Sequence, residues 1–93
     1  MATHLYRIAQ EATGNAIKHA QAKSIVVSLK QSDGELTLTI KDNGRGFSRG
    51  SVAIEGMGLR IMEYRADMIG AMLRVDSTVG KGTTVACRLK VGQ

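Results

Sequence analysis

Ile25-Val26-Val27-Ser28-Leu29-Lys30-Gln31-Ser32-Asp33-Gly34-Glu35-Leu36-Thr37-Leu38-Thr39-Ile40-Lys41 is the stretch on which the reading of the fold turns. Ile25, Val27 and Leu29 alternate with Val26, Ser28 and Lys30, and Leu36, Leu38 and Ile40 alternate with Glu35, Thr37, Thr39 and Lys41. Period two marks a strand with one buried face. Between the runs, Asp33-Gly34 supplies the positive φ angles of a tight turn, so the two strands are expected to pair as an antiparallel hairpin.

Upstream, Leu5, Ile8, Ala9, Ala12 and Ala16 recur at helical spacing from about Thr3 to Ala20 and predict an amphipathic helix. Downstream, the period dissolves from Asn43 to Met57, a loop segment that holds Gly44, Gly46, Gly50 and Gly56. Helical spacing resumes with Leu59, Met62, Ala66 and Ile69, and Gly70 stands where a glycine ends a helix. Ala71, Leu73 and Val75 then alternate with Met72, Arg74 and Asp76. A turn over Thr78-Val79-Gly80-Lys81-Gly82 follows, and Thr83 to Val91 alternates again. Helix, strand, strand, loop, helix, strand, strand predicts an α+β fold. Two hairpins form a sheet with both helices on one face, a two-layer α/β sandwich whose other face is wet.

At 93 residues the chain is long enough for one domain and too short for two. An apolar fraction of 43% against 23% charged residues is that of a soluble globular chain rather than a disordered one. No apolar run approaches the roughly 18 residues needed to cross a bilayer, and no signal pattern opens the chain, which therefore reads as cytoplasmic with no membrane contact of its own. The single cysteine, Cys87, alternates with Val85, Leu89 and Val91 and is expected to be a small buried hydrophobe, so neither a disulfide framework nor a zinc site is available. The net charge of +5 suits a nucleic acid, a phosphate ligand or an acidic partner. Tyr6, Phe47 and Tyr64 are the only aromatic residues, too few for single-strand binding by base stacking.

Four features have the chemistry of a site. Glu11, Asn15, Lys18 and His19 fall at i, i+4, i+7 and i+8 of the first helix and form one polar stripe. A carboxylate, an amide oxygen, an ammonium and an imidazole in line suit a hydrated divalent cation and the phosphates it bridges, because Mg²⁺ takes few protein oxygens and keeps substrate oxygens and water. The same spacing also describes a solvated helix face. Gly14, in mid-helix, costs roughly 1 kcal/mol relative to alanine, and implies either a close backbone approach or a local weakness.

Asp42-Asn43-Gly44-Arg45-Gly46-Phe47 follows the second strand. An ionised Asp only accepts hydrogen bonds, so at the end of a slot it takes an exocyclic amine such as that of adenine and repels a guanine carbonyl. The glycines leave no Cβ between backbone and a flat ligand. Gly56-Met57-Gly58 opens the second helix, where free N–H groups favour an anion. Neither G-x-x-x-x-G-K-[ST] nor G-x-G-x-x-G occurs: Gly44, Gly46 and Gly50 miss the latter register by one residue. Gly82-Thr83-Thr84 brings two hydroxyls to the start of the last strand, for a nucleotide through water or simply as β-formers.

In this order the pieces resemble the signature boxes of the GHKL ATPases, the superfamily of gyrase, heat-shock chaperone, histidine kinase and mismatch-repair ATPase domains. Glu11-Ala12-Thr13-Gly14-Asn15-Ala16-Ile17-Lys18-His19-Ala20 resembles the N box, Asp42 to Phe47 the first glycine box, Gly56-Met57-Gly58-Leu59 the second, and Gly82-Thr83-Thr84-Val85 the closing threonine motif. Leu5-Tyr6-Arg7-Ile8-Ala9-Gln10-Glu11-Ala12, Lys18-His19-Ala20 and Gly58-Leu59-Arg60-Ile61-Met62-Glu63-Tyr64-Arg65-Ala66 are similar to the sensor kinases that pair with LuxR/NarL-type response regulators. Thr13-Gly14 departs from the pattern, where a larger aliphatic and a small polar residue are usual.

The resemblance implies that the chain binds ATP with Mg²⁺ and is the ATP-binding catalytic domain of a protein histidine kinase. Asn15 would ligate the metal, Glu11 would lie beside metal and phosphates as the catalytic carboxylate, and Lys18 and His19 would approach the phosphates. Asp42 would bind the adenine amino group, Gly44 and Gly46 would shape the pocket, Gly56, Gly58 and Leu59 would let a lid close over the triphosphate, and Thr83 or Thr84 would support the adenine through water. Partners implied are the dimerisation and phosphoacceptor domain of the full-length kinase, which is absent here, and a LuxR/NarL-type response regulator. His19 belongs to the nucleotide-site helix and His4 lacks an acceptor motif. The resemblance also implies that a strand and a helix ahead of the N box are missing, that the domain over residues 1–93 is truncated at its N-terminus, and that an open sheet edge permits self-association. Three other readings compete: an anti-sigma-factor-type serine kinase domain of the same superfamily, a basic, non-catalytic binding module, and a degenerate, scaffold-only kinase domain.

Overall fold

The structure, a computed structural model, describes residues 2–46 and 58–91. In chain order the elements are α1 (Ala2–Lys18), β1 (Ile25–Ser32), β2 (Glu35–Asp42), α2 (Leu59–Met68), β3 (Met72–Thr78) and β4 (Gly82–Lys90). This is the expected order. The first helix begins and ends slightly earlier than its sequence pattern, because the Asn15 carbonyl takes the amides of both His19 (2.9 Å) and Ala20 (3.0 Å) and closes the last turn.

Asp33 and Gly34 both have positive φ, 53° and 75°, and Ser32 pairs with Glu35 across them. Such a two-residue turn matches the twist of its strands and fixes the register of everything behind it. Gly70, at φ 68°, ends the second helix as expected. The Ala71 amide reaches back to the Ala66 carbonyl at 2.8 Å, which turns the chain sharply into β3.

The sheet order is β1-β2-β4-β3, every neighbouring pair antiparallel. Each hairpin thus sends its second strand to the middle and its first to an edge. The middle strands carry the most apolar inner faces, with Leu36, Leu38 and Ile40 opposite Leu89, Cys87 and Val85. Ile8 and Ala12 of α1 and Leu59, Met62 and Ala66 of α2 close over them. Ile8, Ile40, Met62 and Cys87 are the largest fully buried side chains, and burying the larger ones is worth about 1.5–3 kcal/mol each. The helices run antiparallel: His4 lies near Arg65, Nδ1 to Nη1 3.4 Å, while Glu11 meets Gly58.

One expectation fails at β1. Ile25, Val27 and Leu29 do lie on the helix-facing side, because Val27 pairs with Ile40 and Leu29 with Leu38. Yet Val27 is 53% and Leu29 59% exposed, and only Ile25 packs against the core. Alternation selects a face, but burial depends on where the helices lie. Here they cover the middle strands and β3 rather than the β1 edge.

Gly14 lies in an unbroken helix and, among the described residues, has open space around the position of a Cβ, so no described backbone supplies the close-packing explanation. Gly14→Ala is therefore expected to stabilise the fold by about 0.5–1 kcal/mol, roughly 2–8 °C in Tm for a domain of this size. Thermal melting by circular dichroism checks it, and an unchanged or lower Tm would contradict the open site. Cys87 is fully buried and burial pushes its thiol pKa up. It is expected to be silent toward thiol reagents in the folded chain and to react stoichiometrically in denaturant.

Candidate functional site

A cleft of about 440 Å³ opens between the C-terminal half of α1, the start of α2 and the end of the sheet where β2 stops and β4 begins. Ala12, Ala16 and Ala20 line it from α1 and the residues after it, Ile40, Val75 and Val85 from the sheet, and Leu59 and Met62 from α2. Four polar side chains enter this apolar slot: Asn15, His19, Asp42 and Thr83. Ala12 and Ala16 on α1 and Ala20 after it present only methyl groups to the slot.

Asp42 is the last residue of β2 and is only 8% exposed, the one charged side chain among the described residues that is buried. Burying a carboxylate is costly unless it is hydrogen-bonded. Its Oδ1 accepts the Gly44 amide at 2.8 Å, which holds the carboxylate in one orientation at the end of the slot. The pairing Ile25↔Asp42↔Thr83↔Ser77 runs across all four strands on the inner face, and so sets the carboxylate beside two hydroxyls.

The loop behind Asp42 is tied on both sides. Asn43 Oδ1 accepts the amides of Lys23 (2.9 Å) and Ser24 (2.8 Å), the Arg45 amide donates to the Ala20 carbonyl (2.9 Å), and the Arg45 guanidinium donates to the His19 carbonyl (3.0 Å). On the other side the Gly80 amide donates to the Arg45 carbonyl. Gly46, at φ 67°, passes so close to the β3–β4 turn that a Cβ would collide with the Thr78 carbonyl oxygen. Gly82, at φ 95°, lies equally close to the Asp42 carbonyl. These two positions require glycine for conformation and for space together.

The structure separates the sequence-derived candidates. Asn15, His19, Asp42, Gly46, Leu59 and Thr83 meet in the cleft. Glu11 stands next to it, its carboxylate against the α-carbon of Gly58, the N-cap of α2. Gly44 packs behind the loop against Ala20 rather than on the lining. Lys18 is exposed and outside the lining, although its i+7 spacing keeps it on the Glu11 side of α1. Thr84 pairs with Lys41 and Asp76 on the opposite face of the sheet, so of the two threonines only Thr83 faces the slot. Gly56, with Phe47 and Met57, lies outside the described residues. Sequence reading missed Val75, Met62 and Val85, whose apolar periodicity is the same whether they line a slot or a core. It also missed Ser77, which continues the inner-face period of Leu73 and Val75 and places its Oγ 2.7 Å from Thr83 Oγ1.

Comparison with known proteins agrees with this geometry. The model of the histidine kinase-, DNA gyrase B- and HSP90-like ATPase family matches residues 1–93. Sensor histidine kinase LiaS of Bacillus subtilis strain 168 is 38% identical over 88 residues, 95% of this chain and 24% of that protein. Nitrate/nitrite sensor protein NarX of Escherichia coli strain K12 is 39% identical over 84 residues, 90% of this chain and 14% of that protein. The chain therefore spans about a quarter or less of these curated relatives. Among solved structures, the ATP binding domain of PrrB from Mycobacterium tuberculosis superposes with a TM-score of 0.83 at 25% identity, covering 100% of this chain and 71% of that one. With a match over its whole length and a shared fold, this chain belongs to the histidine kinase-, DNA gyrase B- and HSP90-like ATPase family.

Proposed function

We propose that the cleft binds Mg·ATP and that, within a longer sensor kinase, the chain supplies the γ-phosphoryl group for autophosphorylation of a histidine on a separate dimerisation and phosphoacceptor domain. A LuxR/NarL-type response regulator would then receive the phosphoryl group. The observation that carries the reading is the buried carboxylate of Asp42 at the end of an apolar slot. The kinship to NarX and LiaS supports the signalling context. No described helix is long and apolar enough to cross a membrane.

In this reading the adenine slides between the α1 alanines and the inner sheet face, and its amino group donates to Asp42. Thr83 supports the ring through water. Asn15 on α1 and His19 just after it would face the phosphates, and Gly58-Leu59 would present the N-terminal end of α2 to them. The donor set fits Mg²⁺: Asn15 gives an amide oxygen and Glu11, four residues before it, a carboxylate, with nucleotide oxygens and water completing the shell. When bound, the ion neutralises phosphate charge. The residues of this chain otherwise orient the triphosphate and keep water from it, while an acceptor nitrogen forms the P–N bond as the P–O bond to ADP breaks. Lys18, exposed at the end of α1, is placed to meet the outer phosphates by bending its side chain.

Calorimetric titration with ATP and GTP, each with and without Mg²⁺, tests the proposal. ATP is expected to bind in preference to GTP, and Asp42→Asn is expected to weaken ATP by about tenfold, the loss of one hydrogen bond to a charged acceptor. Equal affinity for the two nucleotides, or an Asp42→Asn variant as tight as the parent, would sink the reading. Asn15→Ala is expected to abolish the Mg²⁺ dependence while leaving metal-free nucleotide binding within about threefold. A variant that still responds fully to Mg²⁺ would remove Asn15 from the metal.

A further inference from the structure

Ser77 lies on the inner face at the end of β3, half-buried and directly opposite Thr83. Its Oγ is 2.7 Å from Thr83 Oγ1 and 3.3 Å from the Gly82 carbonyl oxygen. A hydroxyl has one proton to give. A carbonyl oxygen can only accept, so with the Ser77 proton on Gly82 the Thr83 proton goes to Ser77. The backbone that fixes this relay does not yield, because Gly82 is pressed against the Asp42 carbonyl. Thr83 is then left with lone pairs alone toward the cleft, beside the carboxylate of Asp42 on the adjacent strand.

We propose that Ser77 is a specificity-determining positioning residue: it sets the proton polarity of the Thr83 hydroxyl so that this wall of the cleft accepts hydrogen bonds and donates none. The inference rests on the ATP reading and sharpens it. Two neighbouring acceptors suit a purine whose six-position carries an amino group, directly or through a water that gives its hydrogens to the wall. A purine with a carbonyl there would meet lone pairs on both sides. With Ser77 removed, the Thr83 hydroxyl is released to rotate and donate to that carbonyl, and the wall reads both purines.

Titration of the chain with Mg·ATP and Mg·ITP, whose bases differ in the six-position group, amino against carbonyl, and in the N1 proton that the carbonyl form carries, tests this. The parent is expected to prefer ATP. Ser77→Ala should lower the ATP-to-ITP affinity ratio by about three- to tenfold, the scale of one hydrogen bond gained or lost, and Ser77→Thr, which keeps the hydroxyl, should restore it. Thr83→Val should lower the ratio as well, and adding Ser77→Ala to it should change the ratio no further. If Ser77→Ala weakens both nucleotides equally, or lowers Tm without moving the ratio, Ser77 only braces the hairpin and the inference is wrong. If Ser77→Ala does not fold, a Thr83→Val variant with the parent ratio is enough to overturn it. A parent chain that does not prefer ATP overturns the nucleotide reading itself, an outcome distinct from a preference that Ser77 leaves untouched.

Discussion

The pairing of β2 with β4, in the register that sets Asp42 opposite Thr83, is the constraint on which the rest of the molecule depends. It joins the two hairpins, puts the most apolar strand faces side by side beneath the helices, and brings the loop after β2 against the turn before β4. A slip of one residue would turn Leu38 and Ile40 outward and Thr39 and Lys41 inward, so the hydrophobic pattern holds the register in place. Gly46 and Gly82 make the same register tight at the end of the sheet, since each fills a space that a side chain would need. Core packing and site geometry are therefore decided by one ladder.

Asp42 shows where function and stability part. Removing a carboxylate from water costs several kcal/mol, and a hydrogen bond to a charged group offsets about 1.5–3 kcal/mol of that. The Gly44 amide therefore orients the group more than it compensates for burying it. A residue chosen only for stability at the end of β2 would be apolar, like Ile40 two positions earlier. A ligand donor that completes the shell of Asp42 would recover part of the deficit, so the slot is built to be more favourable when filled.

Much of this was legible from local chemistry. Asp33-Gly34 fixed one hairpin and Gly70 ended α2, whereas the choice between Thr83 and Thr84 stayed open until the pairing of β4 with β2 and β3 set Thr83 inward. What was not legible depends on how elements lie on one another. Val27 and Leu29 have the pattern of buried residues and are exposed, because the position of α1 over the sheet is a tertiary property. Val75 and Met62 read as core for the same reason that they line the slot: apolar periodicity is identical on the two sides of a cavity wall. Ser77 carried a signal only in combination, since its relevance appears once β3 is known to pair with β4 in register.

The strand order has a consequence for how a ligand acts on the whole. Residues 2–42 form one α-β-β unit and residues 59–90 another, each with its own helix over its own hairpin. The units touch through the β2–β4 ladder and the antiparallel helix pair. The cleft takes Asn15, His19 and Asp42 from the first and Leu59, Val75 and Thr83 from the second. Neither unit owns a complete binding surface. Any molecule held there bridges the seam, so its binding free energy is expressed as cohesion between the halves. Viewed this way the domain is an intramolecular heterodimer, with its ligand as the adhesive.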